Sequence, residues 1–474
     1  MKMDNCTLYA LSKATSGLGD TPANEIIERT ATTLYNSKAT KVAQRTFYKY
    51  SGLTSVNLPA VETVGTEAFS QCTSLTSVTL PRVTTLDYQA FYYCNKLTSI
   101  YLPEATSMDG YVFNDCSSLT SANLPKISSV GQGAFSGCSN LSDITATDAV
   151  SIGSFAFSGC SKLKNINLPK VTTIGQGALK NCTSLASIDF PEASYIDKNA
   201  FEGCTSLTSI DLPKATTVNQ SAVTNCPNLV SISCPELVSS SNLTFGSYSK
   251  LTNVNLPKAG SLGQYTFQNC TSLTHISLPK VSSVGNDTFR NCTNLIEVSL
   301  PLLRSTAQNT FSGCTSLTTV NLPSLTRLGG SGNTFGGCSS LANIDLPVVT
   351  NIANSAFGGC SSLTSVNTPK ATSVGTYAFS GCSSLANIDL PVVTNIANSA
   401  FGGCTSLIGV ILRSDTVTTL NNVNAFTGTP IEGGTGYIYV PDNLVDSYKT
   451  ASNWSTYANQ IKGVSELPTE NEGA

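Results

Sequence analysis

The chain has 474 residues, 40% of them hydrophobic and 12% charged, with a formal net charge of −3 and one histidine. The apolar fraction suffices for a core, while the slight acidity argues against nucleic acid or an anionic membrane surface as partners. No run of 18 apolar residues occurs, so no membrane-spanning helix is expected.

Residues 1–30 carry no recurring pattern and read as an N-terminal non-repeat segment. Within it, Cys6 to Leu11 is interrupted by Thr7 and too short for the apolar heart of a signal peptide. At the other end, Leu467-Pro468-Thr469-Glu470-Asn471 lacks the Thr-Gly pair and the hydrophobic and basic stretch of a sortase signal. Neither export nor wall anchoring is expected from these segments.

A beat of 22 residues begins after residue 30: Phe47, Phe69, Phe91, Phe113, Phe135 and Phe157 keep that spacing. Leu179 and Val223 fill two later positions, and Phe201, Phe245, Phe267, Phe289 and Phe311 continue the series. A two-residue insertion around Gly329–Gly332 shifts it to Phe335, Phe357, Phe379 and Phe401, and Phe426 closes it three residues late. Proline from Pro59 to Pro391 and cysteine from Cys72 to Cys404 follow the same period.

One unit shows the logic. Val78 and Leu80 alternate with Ser77 and Thr79, which gives a short strand with one apolar and one polar side. Pro81 ends it, having no N–H for a ladder. A turn of mixed residues leads to Gln89-Ala-Phe-Tyr-Tyr-Cys94, which reads as a helical turn pushing Phe91 inward. No single unit can bury Leu75, Val78, Leu80, Leu86, Phe91 and Cys94; stacked neighbours can.

The expected fold is therefore an α/β repeat solenoid over 31–428, with a parallel sheet on one face, short strands, helical turns and capped ends. Roughly 17 units stacked about 4.8 Å apart would give a rod about 80 Å long. Tyr437 to Pro441 reads as a strand, and a helix is expected from Asp442 through Trp454 to Ile461. Residues 429–474 would thus be a strand–helix cap, with Trp454 packed on the last repeat. Gly337–Cys360 is identical to Gly381–Cys404, an offset of 44, so the array grows by copying pairs of repeats.

Seventeen cysteines raise the question of metal or disulfide chemistry. There is no Cys-x-x-Cys pair and only one histidine, which argues against zinc, and an odd total cannot fully pair. Buried, reduced thiols acting as small apolar groups are expected instead. His275 falls at an outward strand position and Cys270 and Cys292 at inward ones, so no Cys–His nucleophile is built. Asp189 and Asp211 occupy one outward position in adjacent repeats, about 5 Å apart, a spacing a calcium ion or glycosidase pair could use. A flat strand face offers no pocket, so they are read as two exposed acids. No cofactor, no metal and no enzymatic activity are expected.

The outward strand positions are dominated by Ser, Thr and Asn, a broad polar face suited to glycan or protein binding. Larger groups interrupt it, and the candidate binding residues are Tyr101, Asp189, Asp211, Asn253, Asn255, His275, Glu297 and Asn321.

With its Leu-x-x-Val-x-Leu-Pro, Val-Gly and Ala-Phe-x-Gly-Cys pattern, the chain resembles the BspA-like leucine-rich repeats over Ala31 to Phe426. Gly203 to Ala215 is a close match. The resemblance implies a leucine-rich-repeat solenoid of the kind found in bacterial and protist adhesins that bind host proteins or other cells. Similar arrays also look like genes carried by phages and prophages of gut bacteria. It implies no shared catalytic residues. The expected function is non-enzymatic binding of a protein or glycan on a cell surface or phage virion. The alternative is a structural spacer or assembly scaffold attached through residues 1–30. The missing export and anchor signals favour a virion component or internal scaffold over direct surface display.

Overall fold

The computed structural model describes residues 32–219, 221–240, 245–329 and 332–468. The expectations for segment 1–30 and Cys6 fall outside the described residues. The chain divides into two compact units, Met1–Leu237 and Val238–Ala474.

In the first unit every described repeat but the one at 185–190 makes a strand of three residues where the apolar–polar alternation places it. Strands Thr33–Tyr35, Ser55–Asn57 and Ser77–Thr79 pair in parallel, with Val56 opposite Val78. A slip of one residue would turn Ser77 and Thr79 into the core, so the register is fixed by the pattern. A second parallel ladder follows at each corner, through Thr63–Val64, Thr85–Leu86 and Ser107–Met108. Val64, Leu86 and Met108 are its buried members.

The third face of the repeat is a run of hydrogen-bonded turns where the spacing predicts a helical turn. Two residues per repeat are left-handed, such as Glu67 (φ 53) and Gln71 (φ 61), then Gln89 (φ 55) and Tyr93 (φ 58). This alternation turns three peptide groups along the stacking direction. The N–H groups of Glu67, Phe69 and Gln71 donate to the carbonyls of Tyr88, Ala90 and Tyr92 at 2.9, 2.8 and 2.7 Å. A helical turn would use those donors internally and leave the next repeat's buried carbonyls without partners.

Phenylalanines form the centre of the core. Phe69 stacks on Phe91 at 5.1 Å with planes 9° apart, and the column runs from Phe47 to Phe157. Beside it, the thiols of Cys94, Cys116 and Cys138 donate to the carbonyls of Phe69, Phe91 and Phe113 at 3.2, 3.3 and 3.1 Å. Cysteine suits this position because it is small and apolar yet still carries a donor for a buried carbonyl. The position that follows proline in most repeats, and Thr147 in one, alternates in sign, and Lys126–Glu104, Lys170–Asp148 and Lys214–Glu192 form ion pairs at 2.8, 2.7 and 2.6 Å.

The outer ladder is divided between Ser77–Thr79 and Ser99–Tyr101, which belong to different sheets, and is interrupted again further along. Residues 185–190 form no strand, whereas the inner ladder continues through Tyr195–Ile196. Phe190 stands there in place of the leucine of other repeats, and its ring lies 6.4 Å from that of Phe201.

The second unit repeats the plan, with an aromatic column from Phe245 to Phe426. Phe311 and Phe335 stack at 5.3 Å although two extra residues separate them. At the C-terminal end, strands Tyr437–Val440 and Ile461–Gly463 extend the sheet in parallel beyond Gly409–Leu412. The expected single helix is broken into Val445–Thr450 and a 3-10 segment Trp454–Gln460, because Asn453 is left-handed (φ 65). That break turns Trp454 onto Phe426, 6.2 Å away, where its Nε1–H donates to the carbonyl of Thr418 at 2.6 Å. Tyr457 meets Phe426 edge-on at 5.3 Å. Gly428, left-handed (φ 76) and stacked beyond Gly403 at the end of the turn face, donates its N–H to the Glu432 carboxylate at 2.7 Å.

Trp454→Ala should therefore uncover the end of the aromatic column and destabilise the second unit by about 3–5 kcal/mol, the usual cost of truncating a buried large aromatic. Calorimetry should show a lower melting transition for this variant and a smaller effect for Trp454→Phe.

Candidate functional site

Outward strand side chains are held by the ladder and take no part in the core, and neighbours bond one another, as the Asn165 amide does to the Asp143 carboxylate at 2.6 Å. A file of threonines borders them, and its hydroxyls donate back to the preceding repeat, as Thr76 does to the Thr54 carbonyl at 3.0 Å. In the first unit Tyr101 is 61% exposed and stands opposite Asn123. Asp211 is exposed on strand Ser209–Asp211, opposite Ser233. Asp189 is exposed too, but it lies in the interrupted stretch. The strand pairing expected to align it with Asp211 is therefore not formed, Phe190 standing where the strand would end.

The second unit brings three of the expected residues together. His275 pairs in register with Glu297, Glu297 with Thr319, and Ser299 with Asn321, on three adjacent strands of one sheet. His275 Nδ1 lies 3.0 Å from Thr274 Oγ1, and the Asn321 amide donates to Ser299 Oγ at 2.9 Å. Asn253 and Asn255 are exposed on strand Asn253–Asn255, which belongs to a different sheet. Ile296 was not anticipated: it is 41% exposed beside Glu297, in the file that carries Thr274 and Thr318 in the neighbouring repeats. The signal was present as a break in the threonine file. Further along, a shallow open groove is lined by Asn367, Pro369, Asn387, Asp389 and Pro391, with Asp389 paired to Arg413 at 3.0 Å.

The family model for the BspA type leucine rich repeat region (6 copies) matches residues 40–151, 128–247, 240–332 and 331–447. The chain belongs to the BspA-type leucine-rich repeats. No curated protein matches it. Among solved structures it is similar to a leucine-rich repeat protein from Bacteroides ovatus, at 25% identity and TM-score 0.50 over 81% of this chain and 88% of that one. It is also similar to a leucine rich cell surface protein from Faecalibacterium prausnitzii, at 22% identity and TM-score 0.34 over 64% of this chain and 89% of that one. BspA-type arrays are typically non-catalytic, and membership suggests a binding or adhesion role.

All sixteen cysteines among the described residues are free and buried. Burial pushes the thiols of Cys72, Cys116, Cys182 and Cys360 from an ordinary 9.0 up to about 12. Such thiols are poor nucleophiles, because the thiolate is the reactive form. Among the described residues no group of three or more His, Cys, Asp or Glu is placed to hold a metal ion. No helix there is long and apolar enough to cross a membrane.

The thiol ladder makes stability depend on alkaline pH. Between about 9 and about 12 the unfolded chain releases thiol protons that the native chain keeps, so the native state binds more protons. Stability is thus fully present below pH 9 and declines as the pH rises toward 12. Melting curves taken from neutral to strongly alkaline pH should show this fall. Ellman's reagent at mildly alkaline pH should leave the ladder cysteines unmodified until denaturant is added.

Proposed function

We propose that the chain is a non-enzymatic binding module that engages a protein partner through the strand face around His275, Ile296, Glu297 and Asn321. The observation that carries this reading is the in-register pairing of His275 with Glu297, both exposed and flanked by an exposed isoleucine. A partner meets there an imidazole, a carboxylate, an amide and an aliphatic group within three strands. Their backbone is fixed by the ladder, so little conformational entropy remains to be lost on binding. The aliphatic member favours a protein over a glycan, since protein contacts centre on apolar groups ringed by polar ones. Such a partner would stand on a cell surface or a phage particle.

The test replaces Asn253, His275 and Glu297 by Ser and Ile296 by Thr, residues that other repeats of the array carry at these positions. Melting should be unchanged, while binding to host cells and to extracellular protein panels should fall by about tenfold, equivalent to 1.4 kcal/mol. Retained binding, with loss on deleting residues 1–30 instead, would make the array a spacer and overturn the proposal. A signal confined to glycan arrays would replace the protein partner by a carbohydrate.

A further inference from the structure

The turn face of the first unit departs from the Ser/Thr/Asn composition of the strand face. Between residues 87 and 115 it presents Tyr88, Tyr92, Tyr93 and Tyr111, with Tyr88 40% and Tyr93 44% exposed and the other two part-buried. Tyr88 meets Tyr111 edge-on at 5.8 Å, and the rings of Tyr92 and Tyr93 are 6.1 Å apart. Tyr111 lies over Gly133, where an added Cβ would come within 2.5 Å of the ring, and its hydroxyl accepts from the Gln132 amide at 2.9 Å. These rings are held in place by backbone and by one another.

Carboxylates dominate the charges around them, Lys41 being the one cation whose charge acts on Asp87. Asp87, Asp109 and Asp115 stand among the tyrosines, while Asp87–Cys94 and Asp109–Cys116 contain no lysine or arginine. Partial burial raises the carboxyl groups of Asp87 and Asp115 above the ordinary range. No ion pair engages any of the three aspartates among the described residues.

The same face shows what such tyrosines accept. Tyr48 occupies the position of Tyr92 two repeats earlier, and there the chain supplies its own cations. The Arg45 guanidinium lies 5.0 Å and the Lys49 ammonium 5.1 Å from the centre of the Tyr48 ring. Around Tyr92 the corresponding positions are Gln89 and Tyr93, so neither supplies a cation.

We infer that this tyrosine–aspartate surface docks an arginine- or lysine-rich segment of a partner protein. Cationic side chains gain from the ring faces and from the unpaired carboxylates together, while the same carboxylates repel the phosphates of a nucleic acid. The surface lies in the first unit and is independent of the strand patch around His275.

The test uses the full chain and a fluorescein-labelled peptide of alternating arginine and serine, with a citrulline-for-arginine peptide as its uncharged counterpart, read by fluorescence anisotropy at low and high salt. The arginine peptide should bind, and should do so about tenfold more tightly than the citrulline peptide. Tyr92→Ser with Tyr93→Asn should weaken it about tenfold. Asp87→Asn with Asp115→Asn should weaken it similarly and flatten the salt dependence. His275→Ser with Glu297→Ser should leave it unchanged, which separates this surface from the strand patch. Thermal melts identify a variant that has lost its fold, and the aspartate pair decides the matter if the tyrosine pair melts early. Equal binding of the two peptides, no binding by the parent, or parental binding by well-folded variants would overturn the inference. So would binding of a neutral oligosaccharide that the tyrosine variant loses, without binding of the arginine peptide.

Discussion

On the turn face, the N–H of Phe69 reaches the carbonyl of Ala90 and that of Phe91 the carbonyl of Val112, at 2.8 and 2.9 Å. Each repeat thereby hands its peptide groups to the next, and equivalent points stay in register even where the chain between them is longer, as between Phe311 and Phe335. Phenylalanine then falls on phenylalanine, and each ladder thiol falls beside the carbonyl of the preceding phenylalanine. The short strands need little length of their own, because two strand ladders and the turn-face hydrogen bonds together tie repeat to repeat, as at Val56–Val78, Val64–Leu86 and Phe69–Ala90. Few of the contacts that hold such an array involve the outward strand side chains, which leaves them available for recognition.

Much of this was legible in the sequence because the period exposes inward positions by repetition. Phe, Leu, Val and Cys recur where the core requires them, and the Val78–Leu80 alternation marks the strand. The turn face was harder to read. Asn181, Asn225, Asn269 and a series of glycines at one of its left-handed positions are a recognisable signal, yet Tyr93, Lys49 and Phe155 adopt the same conformation. Their backbone geometry is imposed by the hydrogen bonds of adjacent repeats, which local propensity does not record. The candidate site was legible only as departures from the repeated pattern. His275 and Glu297 stand out by type, and pairing their strands required nothing beyond the period. Asp189 lies in a stretch that forms no strand, next to Phe190 at the position leucine holds in most repeats, a local departure that the period does not reveal.

The alternating charges that follow proline in most repeats bear on how the array changes length. Glu104, Lys126, Asp148, Lys170, Glu192 and Lys214 follow one another at successive repeats. Removing a single repeat would set like charges side by side, whereas removing two preserves the alternation. The second unit has its own two-repeat rhythm at that position, Val348, Lys370, Val392, within the region that carries the duplicated segment. Individual exposed ion pairs contribute little to stability. Their pattern nevertheless gives neighbouring repeats different identities and disfavours pairing a repeat with the wrong neighbour.

The left-handed turns also give the array an electrical direction. In parallel strands successive peptide dipoles alternate and largely cancel. On the turn face of the second unit they point one way, with N–H groups directed toward the C-terminal end from Phe245 to Gly403. The sum resembles a helix macrodipole with its sense reversed relative to the chain, since an α-helix exposes its N–H groups at the N-terminal end. Partial positive charge gathers at the last turn, where the Glu432 carboxylate meets the Gly428 N–H. A carboxylate at that point acts as the counter-charge of the whole column, so the closing segment ends the array electrostatically as well as by covering its last ring.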